Sequence, residues 1–308
     1  MSIYLRIWIL FCNFASKIEC YMEPKQVYRF DSPEKEEWLA GIQHICETYC
    51  APNRIRVILG KDINRSNFTC LHFVTFSCIV DMCSKAGGKV LLETLDDELH
   101  QYIINDVRIK KYWREEEETV FTEPEQKPFN LWRIDEKYYA NYSMALNRYF
   151  ERTYFEGKDL TGLNNCVAEL FQNILDHAQA QGNAFFAIYY HEGEKEIEIA
   201  ICDFGVGIPY TLREQYPDSL NALQRSLLPG VSARTHKHNR GYGLDNIVSA
   251  MTPKDTLRII SNDAFLSKSQ NKEEVVKLPY EFKGTLIDFT ISTDSFEELE
   301  IIDELNFG

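Results

Sequence analysis

Three polar residues, Glu169, Asn173 and Asp176, are spaced four and then three positions apart. In an α-helix this spacing places all three side chains on one face. The apolar residues that would form the buried side are Val167, Leu170, Phe171, Ile174 and Leu175. Buried charges must be paired or must bind a cation. The pattern therefore predicts an amphipathic helix whose polar face either forms ion pairs or binds a cation.

Two glycine-rich turns follow this helix in the chain. The first, DFGVG from Asp203 to Gly207, ends a run of alternating isoleucines that predicts a strand. Paired glycines permit positive φ and close approach to a ligand, and Asp203 can accept hydrogen bonds from an amine. The second, Gly241-Tyr242-Gly243-Leu244, is predicted to open a helix through Val248. Free N–H groups at such a helix start favour phosphate.

With Gly284-Thr285 at the start of a β-patterned run, these pieces resemble the GHKL ATPase superfamily. That superfamily includes gyrase-type topoisomerases, the large heat-shock chaperones, histidine kinases and mismatch-repair ATPases. The resemblance covers the nucleotide-binding domain only, about residues 150–292. The helix is similar to the N box (ExxxNxxD), the two glycine turns to the two glycine boxes, and Gly284-Thr285 to the final Gly-Thr motif.

The resemblance implies a site for ATP and Mg²⁺. Asn173 would coordinate Mg²⁺, a cation that prefers oxygen ligands; Asp203 would bind the adenine amino group, and Thr285 would support the adenine pocket. Glu169 would act as general base if hydrolysis occurs, and Asp176 would steady the helix or pair with a lid residue. The other residues implied to contact nucleotide are Gly205, Gly207, Ile208, Arg234, Lys237, Arg240, Gly241, Tyr242, Gly243 and Leu244.

The cations among these residues lie in a stretch, 209–240, that resembles the ATP lid of the family, a segment that closes on bound nucleotide. Arg234, Lys237 and Arg240 would meet the triphosphate. The alternative is a surface loop that contacts no ligand. Each motif alone also has a structural explanation, as an exposed polar stripe, a solvated helix charge or a turn after a strand. The joint order and spacing favour the nucleotide site.

Composition excludes some classes of protein. The 308 residues include 33 Lys and Arg against 47 Asp and Glu, for a net charge of −14. A broad nucleic-acid-binding face is not expected, because phosphate contacts need clustered cations. Nine scattered cysteines suggest no disulfide framework and favour a reducing cytoplasm. The apolar run at 7–14 is too short to span a membrane.

The expected fold class is α/β, with four parts along the chain. Residues 1–27 are an N-terminal extension, explained either by a start codon assigned too early, with Met22 as the true start, or by a short element packed on the body. Residues 28–114 predict a small α/β domain with parallel pairing. Residues 115–130 predict a linker. Residues 131–308 are expected to form a two-layer sandwich of the Bergerat type, a mixed sheet with helices on one face.

Finer boundaries follow from the hydrophobic patterns. Helices are predicted at 28–49, 66–83, 96–105 and 136–154, strands at 54–59 and 90–93, a hairpin at 184–191 and 196–202, and a loop or hairpin insert at 263–278. The first half is faintly similar to STAS-like domains, which pair with GHKL-type kinases. That similarity would make Ser66 a phosphoacceptor at a helix start; the alternative is that Ser66 only caps the helix.

The predicted function is an ATP–Mg-binding switch with slow ATP hydrolysis or phosphoryl transfer, in which positioning and charge stabilisation do most of the work. Two alternatives stay open: a serine- or histidine-type protein kinase acting on a separate partner, and a non-catalytic ATP-binding interaction module. A protein partner governed by nucleotide state is expected, and a homodimer is compatible with the sequence.

Overall fold

The computed structural model describes residues 26–107, 109, 129–134, 136, 139–231, 243–269 and 272–299. It contains two β-sheets and the helices that cover them. In chain order the elements are β1 Gln26–Phe30, α1 Lys35–Thr48, β2 Arg54–Leu59, α2 Cys70–Lys85, β3 Lys89–Thr94, α3 Asp97–Gln101, β4 Phe129–Arg133, α4 Tyr139–Thr153, α5 Thr161–Asn173, β5 Ala184–His191, β6 Glu196–Asp203, α6 Ile208–Leu212, α7 Ser219–Arg225, α8 Gly243–Ala250, β7 Thr256–Ser269 and β8 Lys272–Ser292.

The first sheet has three parallel strands in the order β1-β2-β3. This confirms the parallel pairing and the strands predicted at 54–59 and 90–93. The helix predicted from residue 28 is wrong at its start. Tyr28 and Phe30 are buried while Val27 and Arg29 are exposed, a period of two that belongs to strand β1, and α1 begins only after Pro33.

Helix α2 begins later than predicted, and Ser66 does not cap it. Thr69 is the N-cap, and the Nδ1 atom of His72 accepts a hydrogen bond from the Thr69 N–H at 3.0 Å. Ser66 lies in the preceding turn, where its hydroxyl donates to Asn64 Oδ1 at 2.6 Å. The helix is therefore capped by Thr69, three residues after Ser66.

The second sheet has five strands in the order β4-β5-β6-β8-β7, and every pairing in it is antiparallel. The expectation of a mixed sheet is therefore wrong. The predicted hairpin is confirmed as β5 and β6. Of the two alternatives predicted for 263–278, a loop or a hairpin insert, the structure has the hairpin: residues 263–269 belong to β7 and residues 272–278 to β8. Strand β4 was not predicted.

Both faces of this sheet are buried, which corrects the expectation of helices on one face. Alternate residues of β5 point to opposite sides: Phe186 and Ile188 pack in one apolar core, and Phe185 and Ala187 in another. The first core includes α4, α5 and α8. The second is shared with α1 and α2, which place the three-stranded unit against the sheet. Within the described ranges, no helix is long and apolar enough to cross a membrane.

Candidate functional site

A pocket opens at one end of the five-stranded sheet, between α5, the end of β6 and the part of β8 where its pairing with β6 ends, at Thr285. Six of the predicted nucleotide-contacting residues line it together: Asn173, Asp203, Gly207, Ile208, Leu244 and Thr285. Apolar side chains form much of the remaining wall: Leu170, Ile174, Ile201, Leu212, Val231 and Ile287. Residues far apart in sequence therefore meet around one concave, mostly apolar site with a few polar groups, as ligand pockets commonly do.

The end of α5 is widened where it meets the pocket. The α-helix gives way after Asn173 to a π-helical turn, Ile174–Ala178, and π turns are frequent at functional sites. The Ala178 carbonyl at its end accepts a hydrogen bond from the Val206 N–H at 2.8 Å. This bond joins the N-box-like helix directly to the DFGVG turn.

Asp203 is the buried acid of the pocket, with 3% of its surface exposed. Its Oδ1 accepts a hydrogen bond from the Gly205 N–H at 2.8 Å. Burial raises the pKa of this carboxyl to about 7, although hydrogen bonds from the backbones of Gly205 and Thr285 act in the opposite direction. Asp203 is therefore a hydrogen-bonding group whose charge changes near neutral pH.

Two glycines allow main-chain segments to meet behind the pocket. Gly284 has φ +83°, and a Cβ there would overlap the Asp203 carbonyl. Gly207 has φ +85°, and a Cβ there would overlap the side-chain amide of Asn262, which donates to the Val206 carbonyl at 3.2 Å. Gly205 does not line the pocket; its N–H is used by Asp203.

Ser261 on β7 is a functional candidate that sequence patterns did not single out. Its hydroxyl accepts from the Ile208 N–H at 2.8 Å, donates to the Gly284 carbonyl at 3.0 Å and lies 2.9 Å from the Thr285 hydroxyl. It thus connects the start of α6 with Gly284 and Thr285 of β8. A serine inside a β-run carries no local signal of this role.

Glu169 and Asp176 do not line the pocket, but they lie near a third acid, Asp245 of α8. Burial raises the pKa of the Glu169 carboxyl, and the negative charges of Asp245 and Asp176 raise it further. Asp245 is 8% exposed, and its Oδ1 has no hydrogen-bond partner in the part of the chain that the structure describes. Among those residues, no group of three His, Cys, Asp or Glu side chains could hold a metal ion.

The remaining predicted contacts fall in the stretch 232–242. Arg234, Lys237, Arg240, Gly241 and Tyr242 all lie outside the described residues. Helix α8 begins at Gly243, and Leu244 lines the pocket beside it.

A scan against protein-family models and a search of curated proteins each returned no match to this chain.

Proposed function

We propose that this chain binds ATP with Mg²⁺ in the pocket at the end of the five-stranded sheet, as a nucleotide-dependent switch of the histidine-kinase-like ATPase class. The observation that carries the proposal is the meeting of Asn173, Asp203 and Thr285 in one pocket. An amide from a helix end, a buried carboxyl and a strand hydroxyl come from three separate elements. Their types match the motifs from which the resemblance was drawn.

The adenine would occupy the apolar end of the pocket. Ile201, Leu212 and Ile287 offer flat apolar surface, and the carboxyl of Asp203 offers an acceptor for the exocyclic amine. Guanine has a carbonyl at the same ring position. This carbonyl and the Asp203 carboxylate are both hydrogen-bond acceptors, so they could not pair with each other. A buried acceptor left unpaired is costly, so the site is expected to favour ATP over GTP.

The phosphates and Mg²⁺ would lie toward Asn173 and the start of α8. The Asn173 side chain supplies the kind of oxygen that Mg²⁺ prefers, and Mg²⁺ binds with few protein ligands because it keeps several waters. Bound there, the ion would neutralise phosphate charge. Glu169 lies one helical turn before Asn173, and its raised pKa suits a group that takes a proton. Glu169 is accordingly the proposed base for slow hydrolysis or phosphoryl transfer.

Isothermal titration calorimetry tests the proposal. Wild type is titrated with ATP and GTP, each with and without Mg²⁺, and so are Asp203→Asn and the control Asp97→Asn, which changes an exposed carboxylate on α3. We expect magnesium-dependent ATP binding that is lost or at least ~10-fold weaker in Asp203→Asn, a change of about 1.4 kcal/mol, and unchanged in the control. An absence of ATP heat from folded wild-type protein would refute nucleotide binding, and an unchanged Asp203→Asn isotherm would refute the adenine role.

A further inference from the structure

The backbone just before Thr285 lies outside the strand pairing of the five-stranded sheet. Pairing of β8 with β6 ends at Thr285, and the register between β8 and β7 passes directly from Thr285 to Phe282. Lys283 and Gly284 therefore have no partner residue in β6 or β7, two strands that the structure describes in full. Because backbone N–H and C=O groups need hydrogen bonds, other groups must supply them here.

Side chains from α1 and β7 take the place of the missing strand pairing. Oε1 of Gln43, on α1, accepts a hydrogen bond from the Lys283 N–H at 3.2 Å. The Ser261 hydroxyl donates to the Gly284 carbonyl. Gln43 is 7% exposed, and its Nε2 donates to Glu47 Oε1 at 3.1 Å, one helical turn later. This second bond fixes the side chain with its oxygen facing β8.

The segment that α1 holds is packed directly against the buried acid of the pocket. A Cβ on Gly284 would overlap both the Asp203 carbonyl and the Gly205 N–H, so the two backbones are in close contact. Thr285 follows, and its backbone hydrogen-bonds the Asp203 carboxyl. A displacement of Lys283 would therefore be transmitted through Gly284 to the polar groups of the pocket wall.

Strand β6 is connected to the same three-stranded unit through α2. The buried side-chain amide of Asn183 donates to the Cys78 carbonyl of α2 at 3.1 Å. The backbone carbonyl of Asn183 accepts from the N–H of Phe204, the residue after Asp203, at 3.1 Å. The three-stranded unit, through α1 and α2, is thus linked to both strands that supply the polar groups of the pocket, β6 and β8.

We propose that Gln43 is a positioning residue of the nucleotide pocket, through which the three-stranded unit holds Thr285 and Asp203 in place. Gln43 does not line the pocket, so it acts through the backbone of β8. The inference rests on the proposed function for the identity of the ligand. It adds that the three-stranded unit responds to nucleotide, because coupling is reciprocal: a bond that favours ATP binding is stabilised by bound ATP to the same extent.

Calorimetric titration of the full chain with ATP–Mg²⁺ and with GTP–Mg²⁺ tests the positioning role. Gln43→Met keeps the length of the side chain and removes the acceptor for the Lys283 N–H. We expect its affinity for ATP to fall at least ~10-fold, with little change for GTP, which cannot pair with Asp203. The control Lys35→Met removes a different contact of α1 with β8, at Asp288, and should keep the wild-type affinities. Equal ATP affinity in Gln43→Met and wild type would overturn the proposal.

A paired substitution distinguishes lost positioning from general damage to α1. Gln43→Glu combined with Glu47→Gln keeps an acceptor for the Lys283 N–H and exchanges donor and acceptor between positions 43 and 47. We expect this pair to recover most of the ATP affinity that Gln43→Met loses. An affinity as low as that of Gln43→Met would contradict the proposal, because the acceptor is present in one protein and absent from the other.

Amide spectra of the unliganded protein separate this inference from the proposed function. Gln43→Met should shift the amides of Gly205 and Thr285, whereas Lys35→Met should not. Such shifts in a protein whose wild type binds no ATP would support the positioning role and refute only the nucleotide. Unmoved amides at both residues, with ATP binding intact, would overturn the positioning role and leave the proposed function standing.

Hydrogen exchange in the wild-type protein tests the coupling without any substitution. Saturating ATP–Mg²⁺ should slow exchange of the Lys283 amide, because bound nucleotide stabilises the bond that this N–H donates to Gln43. The Glu192 amide, in the turn between β5 and β6, is the reference and should exchange at the same rate with and without ATP. An unchanged rate at Lys283 in the ATP-bound protein would overturn the coupling, even if Gln43→Met does not fold.

Discussion

Asp203 and Thr285 lie directly opposite each other on the antiparallel strands β6 and β8, and Asp203 is the last residue of its strand. The backbone of Thr285 also hydrogen-bonds the Asp203 carboxyl. Strand pairing therefore places the proposed adenine acceptor, and the geometry of the site depends on the ladder between β6 and β8.

Asp203 should make the stability of the fold depend on pH. Its ordinary pKa is 3.8, and burial raises it to about 7 in the folded chain. Between these values the folded chain holds a proton that the unfolded chain releases, so stability is present at low pH and is lost as pH rises toward neutrality. Asp203→Asn removes this loss, and its stability relative to wild type should increase from pH 5 to pH 8 by on the order of 3 kcal/mol at most.

Urea unfolding at both pH values measures this difference. The control Asp97→Asn removes an exposed carboxylate and should track wild type at each pH. A constant gap between Asp203→Asn and wild type across this pH range would show that Asp203 does not titrate as proposed.

Gly284→Ala should damage the site through the backbone. The residue has φ +83°, and an added Cβ would overlap the Asp203 carbonyl, so β6 and β8 must move apart at this point. A loss of roughly 1–3 kcal/mol in unfolding free energy is expected, with weaker ATP binding. The matched control is Gly193→Ala in the β5–β6 turn, where a Cβ meets no atom within 4 Å. Denaturation and calorimetry should show lower stability and weaker ATP binding in Gly284→Ala and no change in Gly193→Ala.

Ser261→Ala should weaken the connection between α6 and strand β8 at Gly284 and Thr285. The substitution leaves the Ile208 N–H without its acceptor, which costs about 1–3 kcal/mol if the group stays buried. ATP affinity should fall with it, because Ile208 and Thr285 both line the pocket. Ser269→Ala, near the tip of the same hairpin, tests the specificity of the effect and should match wild type in both measurements.

Glu169→Gln separates binding from chemistry. If Glu169 is the base, turnover of ATP should fall by about 10²–10⁴ while the Kd for ATP changes little. Glu156→Gln, an exposed change just before α5, should leave both unchanged. Phosphate release and transfer of labelled phosphate to protein should be followed together, because they distinguish hydrolysis from kinase activity. ATP binding without either product in wild type would leave the non-catalytic module as the function.

Lys35→Met should destabilise the contact between α1 and the sheet. It leaves Arg258 to pair with the buried Asp288, and burial already raises the pKa of that carboxyl. A loss of about 1–3 kcal/mol in the free energy of unfolding is expected, because one of the cations that pair with this buried carboxylate is removed. Lys254→Met removes an exposed pair with Asp294 and should leave the denaturation midpoint unchanged.

Local patterns in the sequence predicted the elements that have a clear period. The isoleucine alternation predicted β6, and the apolar stripe predicted α5. Strand β4 was missed because four of its five residues are buried, and a strand buried on both faces shows no alternation. The start of α1 was predicted too early because Tyr28 lies a few residues before the helix. Its position fits the apolar pattern of a helix as well as that of a strand.

The sequence by itself determined which residue types stand at the ends of α5 and β6 and within β8, because helix and strand periods depend only on near neighbours. The tertiary structure alone decided that Asn173, Asp203 and Thr285 share a pocket, that Ser261 connects its parts, and that Asp245 lies near Glu169. These relationships come from the pairing of β6 with β8 and the packing of α5 on α8. Such contacts join residues far apart in the chain, so the periodic pattern of apolar residues in a local segment cannot predict them.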